Sequence, residues 1–235
     1  MSDEDPKITA LKEKVKAAEQ EIGMAVMFHE TWKPTAYEEE LHKRMGESFA
    51  TQAFLIVRMS LRRETLLALM RIWDSDKKAV GVQSVVRTLR DQQFFDALIA
   101  SRTDHLEGYL RLTLEEHLRG TLGEQLAKVG ALVDKYTKGG AGFDAFRKLL
   151  ILRNGQLAHR QASPAKAGGF DATDEEIESF YLDNLEIVSL LLSIVLAHAF
   201  DLNEAADVYR HYAKFFWAAA LGERTEGHPD YRPPA

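Results

Sequence analysis

The stretch EEELHKRMGESFATQAFLIVRMSLRRETLLALMRIW, Glu38–Trp73, places Leu41, Met45, Phe49, Leu55, Ile56, Met59, Leu66, Leu69, Met70 and Trp73 at intervals built of threes and fours. That spacing is the signature of a buried helical stripe, because side chains three and four residues apart share one face of an α-helix. No proline interrupts it, and none occurs between Pro34 and Pro164. Alternation with a period of two, which a half-buried strand would require, is absent over any useful length. The fold class read from the sequence is therefore all-α.

Working outward, the same pattern predicts helices over Asp5–Glu30, Glu38–Trp73, Val82–Leu89, Gln92–Ala100, Arg102–Tyr136, Phe143–Gln161, Asp174–Phe200 and Asn203–Leu221. Turn residues mark the breaks: Asp74-Ser75-Asp76, Gly139-Gly140-Ala141-Gly142, and Ser163-Pro164 followed by Gly168-Gly169. Thr173 stands three residues before Glu176, the spacing of a capping box, so a helix should begin there. No repeat of fixed period is visible. The reading is one domain with elaborations: an N-terminal helix over 1–30, a helical domain over 31–221, and a polar, proline-rich tail over 222–235.

The 235 residues are 46% hydrophobic and 28% charged, the composition of a globular chain with a sizeable core. The absence of cysteine excludes a disulfide scaffold, a cysteine-ligated zinc site and a thiol nucleophile. The cytoplasm is the default expectation. The 36 acidic and 30 basic side chains give a formal charge of −6, so any nucleic-acid contact must be local and held by a few placed cations. Broad DNA binding is not expected. The first residues do not read as a signal peptide. The apolar run Ile187–Phe200 is too short for a span of about 20 residues and is expected to be a buried helix rather than a membrane anchor.

The most informative segment for chemistry is Phe146-Arg147-Lys148-Leu149-Leu150-Ile151-Leu152-Arg153-Asn154-Gly155-Gln156-Leu157-Ala158-His159-Arg160. At about 100° per residue, with Arg153 as zero, Arg160 falls near −20°, Gln156 near −60° and His159 near −120°. Two cations, an amide and an imidazole thus share about a third of the helix surface. Arginine offers a bidentate fork to a phosphate, and histidine moves protons near neutral pH. Together they form a minimal kit for phosphodiester cleavage. The spacing alone is weak, because Arg111 and His117 repeat it on what reads as an ordinary solvated face. Gly155 in mid-helix costs about 1 kcal/mol relative to alanine, which a close approach of a partner helix or a local kink would explain.

Leu152-Arg153-Asn154 through Leu157-Ala158-His159-Arg160 resembles the Arg-polar-x-His signature of the HEPN superfamily, and within it the abortive-infection protein U branch. Arg71-Ile72-Trp73-Asp74, followed by Val80-Gly81-Val82 through Arg90-Asp91, is similar to that branch's earlier helix, which ends near an aspartate before a short helical segment. The resemblance implies a HEPN-like helical domain that dimerises about a two-fold axis, where signature helices from both protomers form one cleft. It also implies metal-independent endoribonuclease activity with no cofactor. Arg153 would then stabilise the scissile phosphate, His159 would act as general acid or base, and Asn154 would orient one of the reacting groups. Gln156 and Arg160 would add substrate affinity, although Arg160 equally suits a cation placed at a helix C-terminus. By the same resemblance RNA would be the substrate, because the 2′-OH would serve as the internal nucleophile. The family implies a toxin–antitoxin or phage-defence role, with an antitoxin as partner in many members.

Two further readings stand beside this one: a non-catalytic helical interaction or nucleotide-binding module, and a structural dimer in which Arg153 and His159 pair with carboxylates such as Asp144 or Glu178. Glu39 with His42 has the Glu-x-x-His spacing of di-iron bundles, but no second copy is present and a solvated face is the better reading. His198 with Asp201 and Asp207 with His211 read as satisfied helical pairs. Tyr209, Tyr212, Phe215, Phe216 and Trp217 could stack on bases, but their helical spacing favours a packed core or interface stripe.

Overall fold

A computed structural model describes residues 5–46, 49–76, 79–154, 172–220 and 232. Among the described residues there are nine α-helices and no strand: α1 (Pro6–Tyr37), α2 (Glu39–Met45), α3 (Phe49–Ile72), α4 (Val82–Leu89), α5 (Gln92–Thr103), α6 (Gly108–Lys135), α7 (Phe143–Leu152), α8 (Asp174–Leu191) and α9 (Leu202–Ala219). A π-helical turn, Leu192–Leu196, continues α8. The chain divides into two compact units, Met1–Ile22 with Leu69–Asp201, and Gly23–Ala68 with Leu202–Ala235.

In the first unit α6 packs against α4, α5 and α8, and α8 also meets α7. The reason is legible in α4, where Val82, Val85, Val86 and Leu89 form an i, i+3, i+4, i+7 stripe and are all buried. Asp174–Leu196 is long and apolar enough by length and composition to cross a membrane. Its apolar side chains are instead the core of this unit, with Phe180, Tyr181, Leu185, Ile187, Val188, Leu191, Leu192, Ile194 and Val195 at most 3% exposed. The capping box at its start forms as expected: the Glu176 N–H donates to Thr173 Oγ1 and the Thr173 N–H to the Glu176 carboxylate.

At the other end of this helix the Arg102 guanidinium donates to the Ser193 and Ile194 carbonyls. A cation here suits the negative end of the helix, and burial pulls its pKa down. The turn before α7 needs its glycine. A Cβ at Gly140 would lie 2.3 Å from the Asp134 carbonyl oxygen and 2.4 Å from that of Lys135, both backbone atoms.

The second unit is built on α2, α9 and parts of α1 and α3. Leu41, Phe54, Ala213 and Trp217 form its small core, with Met45, Leu61 and Ala220 packed against them. Phe54 meets Trp217 edge-on at 5.7 Å between ring centroids. Arg44 donates to the carbonyls of Trp217 and Ala218 at the end of α9. Glu30, 1% exposed, accepts from Arg210 at 2.9 Å and lies 3.2 Å from Nδ1 of buried His29. Burial opposes ionisation of Glu30, but these two partners outweigh it and hold the carboxyl below its usual range.

Several boundaries differ from the sequence reading. Glu38–Trp73 is two helices, because Gly46 takes φ 52° and ends α2. In the N-terminal half of α3 the buried residue is Phe54, whereas Leu55, Ile56 and Met59 are 43–65% exposed. The first helix runs past Glu30 and through Pro34 to Tyr37. Around the proline the Glu38 N–H donates to the Pro34 carbonyl at 3.0 Å, and the Trp217 indole N–H to the Thr31 carbonyl at 2.9 Å. Arg102 belongs to α5, and α6 starts only at Gly108, whose φ of 59° admits the chain reversal. The helix from Asp174 stops at Leu196 rather than Phe200, with Ala197 in the left-handed region and the His198 N–H bonded to the Leu192 carbonyl.

A single buried amide ties α3 to α8. Trp73 Nε1 donates to Asn184 Oδ1 at 2.8 Å, and Asn184 Nδ2 donates to the Phe180 carbonyl at 2.7 Å. Asn184 is fully buried. Replacing it with alanine leaves the indole N–H unpaired and is expected to cost about 1–3 kcal/mol. Urea denaturation followed by circular dichroism measures this, and an unchanged midpoint would show that the bond contributes nothing.

Candidate functional site

The site begins with the packing of Trp73. Its ring lies 5.6 Å from Tyr136, 5.1 Å from Phe146 and 5.8 Å from Phe180, measured between centroids. Trp73 ends the α3 stripe, and Phe146 belongs to the buried stripe of α7 with Leu149. Arg153 is seven residues beyond Phe146 and four beyond Leu149, so it extends the same inward stripe. Asp74 follows Trp73. The aromatic contact thereby sets the register in which Arg153 meets Asp74, with Nη2 donating to Oδ2 at 2.6 Å.

This pair is neither fully buried nor solvated: the side chains are 22% and 28% exposed. The other Asp74 oxygen, Oδ1, accepts the Asp76 backbone N–H at 3.1 Å. That bond first, and the Arg153 guanidinium second, hold the Asp74 carboxyl below the usual carboxylate range. The loop then returns at Gly81, which has φ +57°. A Cβ there would approach the Asp74 carbonyl oxygen to 3.2 Å, so backbone conformation and space both call for glycine. The Gly81 carbonyl accepts the N–H groups of Ser84 and Val85 and opens α4.

Arg153 caps α7 in right-handed helical geometry, and its backbone N–H reaches the Leu149 and Leu150 carbonyls. Asn154 follows it and is exposed. His159, Gln156 and Arg160 lie outside the described residues, as do Gly155 and the predicted end of the helix at Gln161. One ion pair braces α7, and a second cluster joins α6 to α8. Lys148 donates to both oxygens of Glu176, at 2.7 and 3.0 Å, so the capping-box carboxylate also ties α7 to the start of α8. Tyr136 Oη and Lys135 Nζ both reach Asp183 Oδ2 at 2.5 Å, and burial followed by the Asp183 hydrogen bond pushes the Tyr136 phenol well up.

The carboxylate that engages Arg153 is thus Asp74, not Asp144 or Glu178; Asp144 lies 3.7 Å from Arg147. The sequence reading quoted Asp74 without assigning it a partner. The usable signal was its place directly after the last apolar residue of the α3 stripe. Arg111 and His117 do sit on an ordinary face: Arg111 donates to Glu115 at 2.8 Å and His117 is exposed.

The remaining candidates resolve differently from the sequence reading. His42 is exposed yet fixed, with Nε2 2.6 Å from the Thr35 carbonyl oxygen and its ring edge-on to Phe54. A carbonyl only accepts, so that nitrogen carries the proton and is not available as a metal ligand. No group of three or more potential metal-binding side chains occurs among the described residues. Asp207 pairs with Arg210 at 2.5 Å, while His211 packs on Phe215. His198 and Asp201 lie between helices rather than on them.

Comparison with known families decides the affiliation. The family model HEPN_AbiU2, described as AbiU2, matches residues 8–216. The chain belongs to the AbiU2 family of HEPN proteins. The match takes in both segments that meet here, the Trp73-Asp74 end of α3 and the Arg153-Asn154 end of α7. No curated protein and no solved structure matches the chain.

The Asp74–Arg153 pair gives this AbiU2 protein a defined pH dependence. A carboxyl whose folded pKa is depressed contributes stability that is complete above its unfolded value and is lost as pH falls through the folded one. Asp74→Asn is expected to cost about 1–3 kcal/mol at pH 7. The gap from wild type should close as pH falls below about 4, where the unfolded carboxyl is protonated. Thermal melts at pH 7, 5 and 3 test this, and a gap independent of pH would rule out the ionic origin.

Proposed function

We propose that this AbiU2 protein is a metal-independent endoribonuclease of an abortive-infection or toxin–antitoxin system, in which Arg153 and His159 of two copies form one composite site. The observation that carries the reading is the position of Arg153 in a matched HEPN family member. It caps α7, which Lys148 braces against Glu176, and Asp74 engages one guanidinium nitrogen. The rest of the fork has no partner among the described residues and suits a phosphodiester.

In this scheme a general base takes the ribose 2′-OH proton while the 2′-oxygen attacks phosphorus. The P–O5′ bond breaks and a general acid protonates the leaving 5′-oxygen, giving a cyclic phosphate and a 5′-hydroxyl end. His159 of each copy fills one of these roles. Arg153 offsets the charge that builds on the non-bridging oxygens, and exposed Asn154 orients a reacting group. Gln156 and Arg160 add substrate contacts. DNA lacks the nucleophile and is not a substrate. The protein acts in the cytoplasm, without cofactor or membrane, and an antitoxin restrains it.

One observation favours a second reading. The charge of Arg153 is already balanced inside the chain by Asp74, as suits a non-catalytic HEPN-like interaction or nucleotide-binding module. Cleavage separates the two. In EDTA, the purified protein is expected to cut a mixed single-stranded RNA or tRNA, leaving cyclic-phosphate ends. Loss of an acid–base group costs typically about 10²–10⁴-fold, so His159→Ala should fall by that factor, with Arg153→Ala also impaired. Equal cutting by all three proteins, or none by the wild type, would leave the non-catalytic module.

A further inference from the structure

The chain holds three asparagines, Asn154, Asn184 and Asn203, and their surroundings differ. Asn184 is fully buried, its Oδ1 accepting from the Trp73 indole and its Nδ2 donating to the Phe180 carbonyl. Asn203 lies in the first turn of α9 and is followed by Glu204, whose side chain flanks its own main-chain nitrogen. Asn154 is exposed, its amide has no hydrogen-bond partner among the described residues, and the residue after it is Gly155. It lies two residues past Leu152, the last residue of α7, where the backbone has left the α-helix for a π-helical turn. The end of a helix opens at far lower cost than its middle.

We propose that Asn154 is a site of self-modification, in which the Gly155 main-chain nitrogen attacks Asn154 Cγ and the final product is a carboxylate beside Arg153. The new N–Cγ bond forms as the Cγ–Nδ2 bond breaks. The amide nitrogen leaves as ammonia, taking the peptide proton with it, and a cyclic imide remains. Water then opens the imide at either carbonyl. Opening at Cγ gives aspartate, and opening at the main-chain carbonyl gives isoaspartate, in which the chain runs through the side-chain carbon. Water is the one co-reactant. Glycine is what favours the attack, because without a Cβ its nitrogen approaches Cγ unhindered and its backbone turns freely.

Either product removes the amide that orients a reacting group in the proposed function. Each also sets a second carboxylate near an arginine that Asp74 already engages, and a like charge at that distance opposes the binding of a phosphate. Isoaspartate goes further, since it lengthens the main chain between Arg153 and His159 by one carbon and shifts the two groups relative to each other. The modification therefore silences the site. The silencing rests on the proposed function, whereas the chemistry at Asn154 does not.

The test is peptide mapping by mass spectrometry of the full-length protein, fresh and after warm incubation at mildly alkaline pH, with circular dichroism to show that it stays folded. Conversion of amide to acid is expected at Asn154, with aspartate and isoaspartate resolved by elution, and not at Asn184 or Asn203. Gly155→Ala should slow it about tenfold or more, because a Cβ displaces the nitrogen from its line of attack. RNA cleavage by the wild type should fall in step with the fraction converted, and fresh Asn154→Asp should cut about tenfold or more slowly than fresh wild type. An Asn154 amide that stays intact in the folded protein while the urea-unfolded chain converts would overturn the proposal, as would equal rates in wild type and Gly155→Ala. Full conversion without loss of cleavage would overturn the silencing. A fresh wild type that cuts no RNA would overturn the proposed function and the silencing with it, and the mass of the Asn154 peptide would still decide the modification.

Discussion

Trp73 is the residue on which the geometry of the site depends. Its ring packs among Tyr136, Phe146 and Phe180, and its N–H is fixed by Asn184, so three helices and the end of α3 share one anchor. The indole bond is directional, and the buried amide that accepts it is itself held by the Phe180 carbonyl. A close-packed aromatic cluster tolerates little sliding, because even a small gap forfeits contacts that cannot be recovered elsewhere. Asp74 and Arg153 are each attached directly to this cluster, one by sequence adjacency and one by helical periodicity. Their 2.6 Å contact is therefore a consequence of core packing rather than of two surface charges finding each other.

That origin explains what could be read from the sequence. The all-α class followed from a period of three and four, and the start of α8 from Thr173 and Glu176, because both are local properties. The long Glu38–Trp73 stripe concealed a break, since Gly46 carries a positive φ that hydrophobic spacing does not report. It also misplaced Leu55, Ile56 and Met59, because periodicity shows that a helix has an apolar face but not which apolar residue a neighbour covers; Phe54 took that place. Pro34 looked like punctuation, yet the helix passes through it to Tyr37. In the candidate site, Arg153 was legible as a cation ending an apolar run. Its partner was not, since a contact between residues 79 positions apart is written only in the packing between them.

The Asp74–Arg153 pair also bears on how an acidic chain would hold RNA. At an effective dielectric of about 20, a phosphate about 4 Å from a guanidinium gains roughly 4 kcal/mol, and a carboxylate about 6–7 Å from the same phosphate takes back roughly 2.5 kcal/mol. A single copy thus offers only a small net attraction, set against a formal charge of −6 for the chain. What the carboxylate gives in return is order: a guanidinium braced on one nitrogen loses less freedom when its remaining donors meet a phosphate. Two copies that converge on one phosphodiester double the attraction while each arginine stays positioned. The proposed activity is therefore expected to belong to the assembled pair, because only there does the cationic attraction exceed its carboxylate offset by enough to hold a phosphodiester in place.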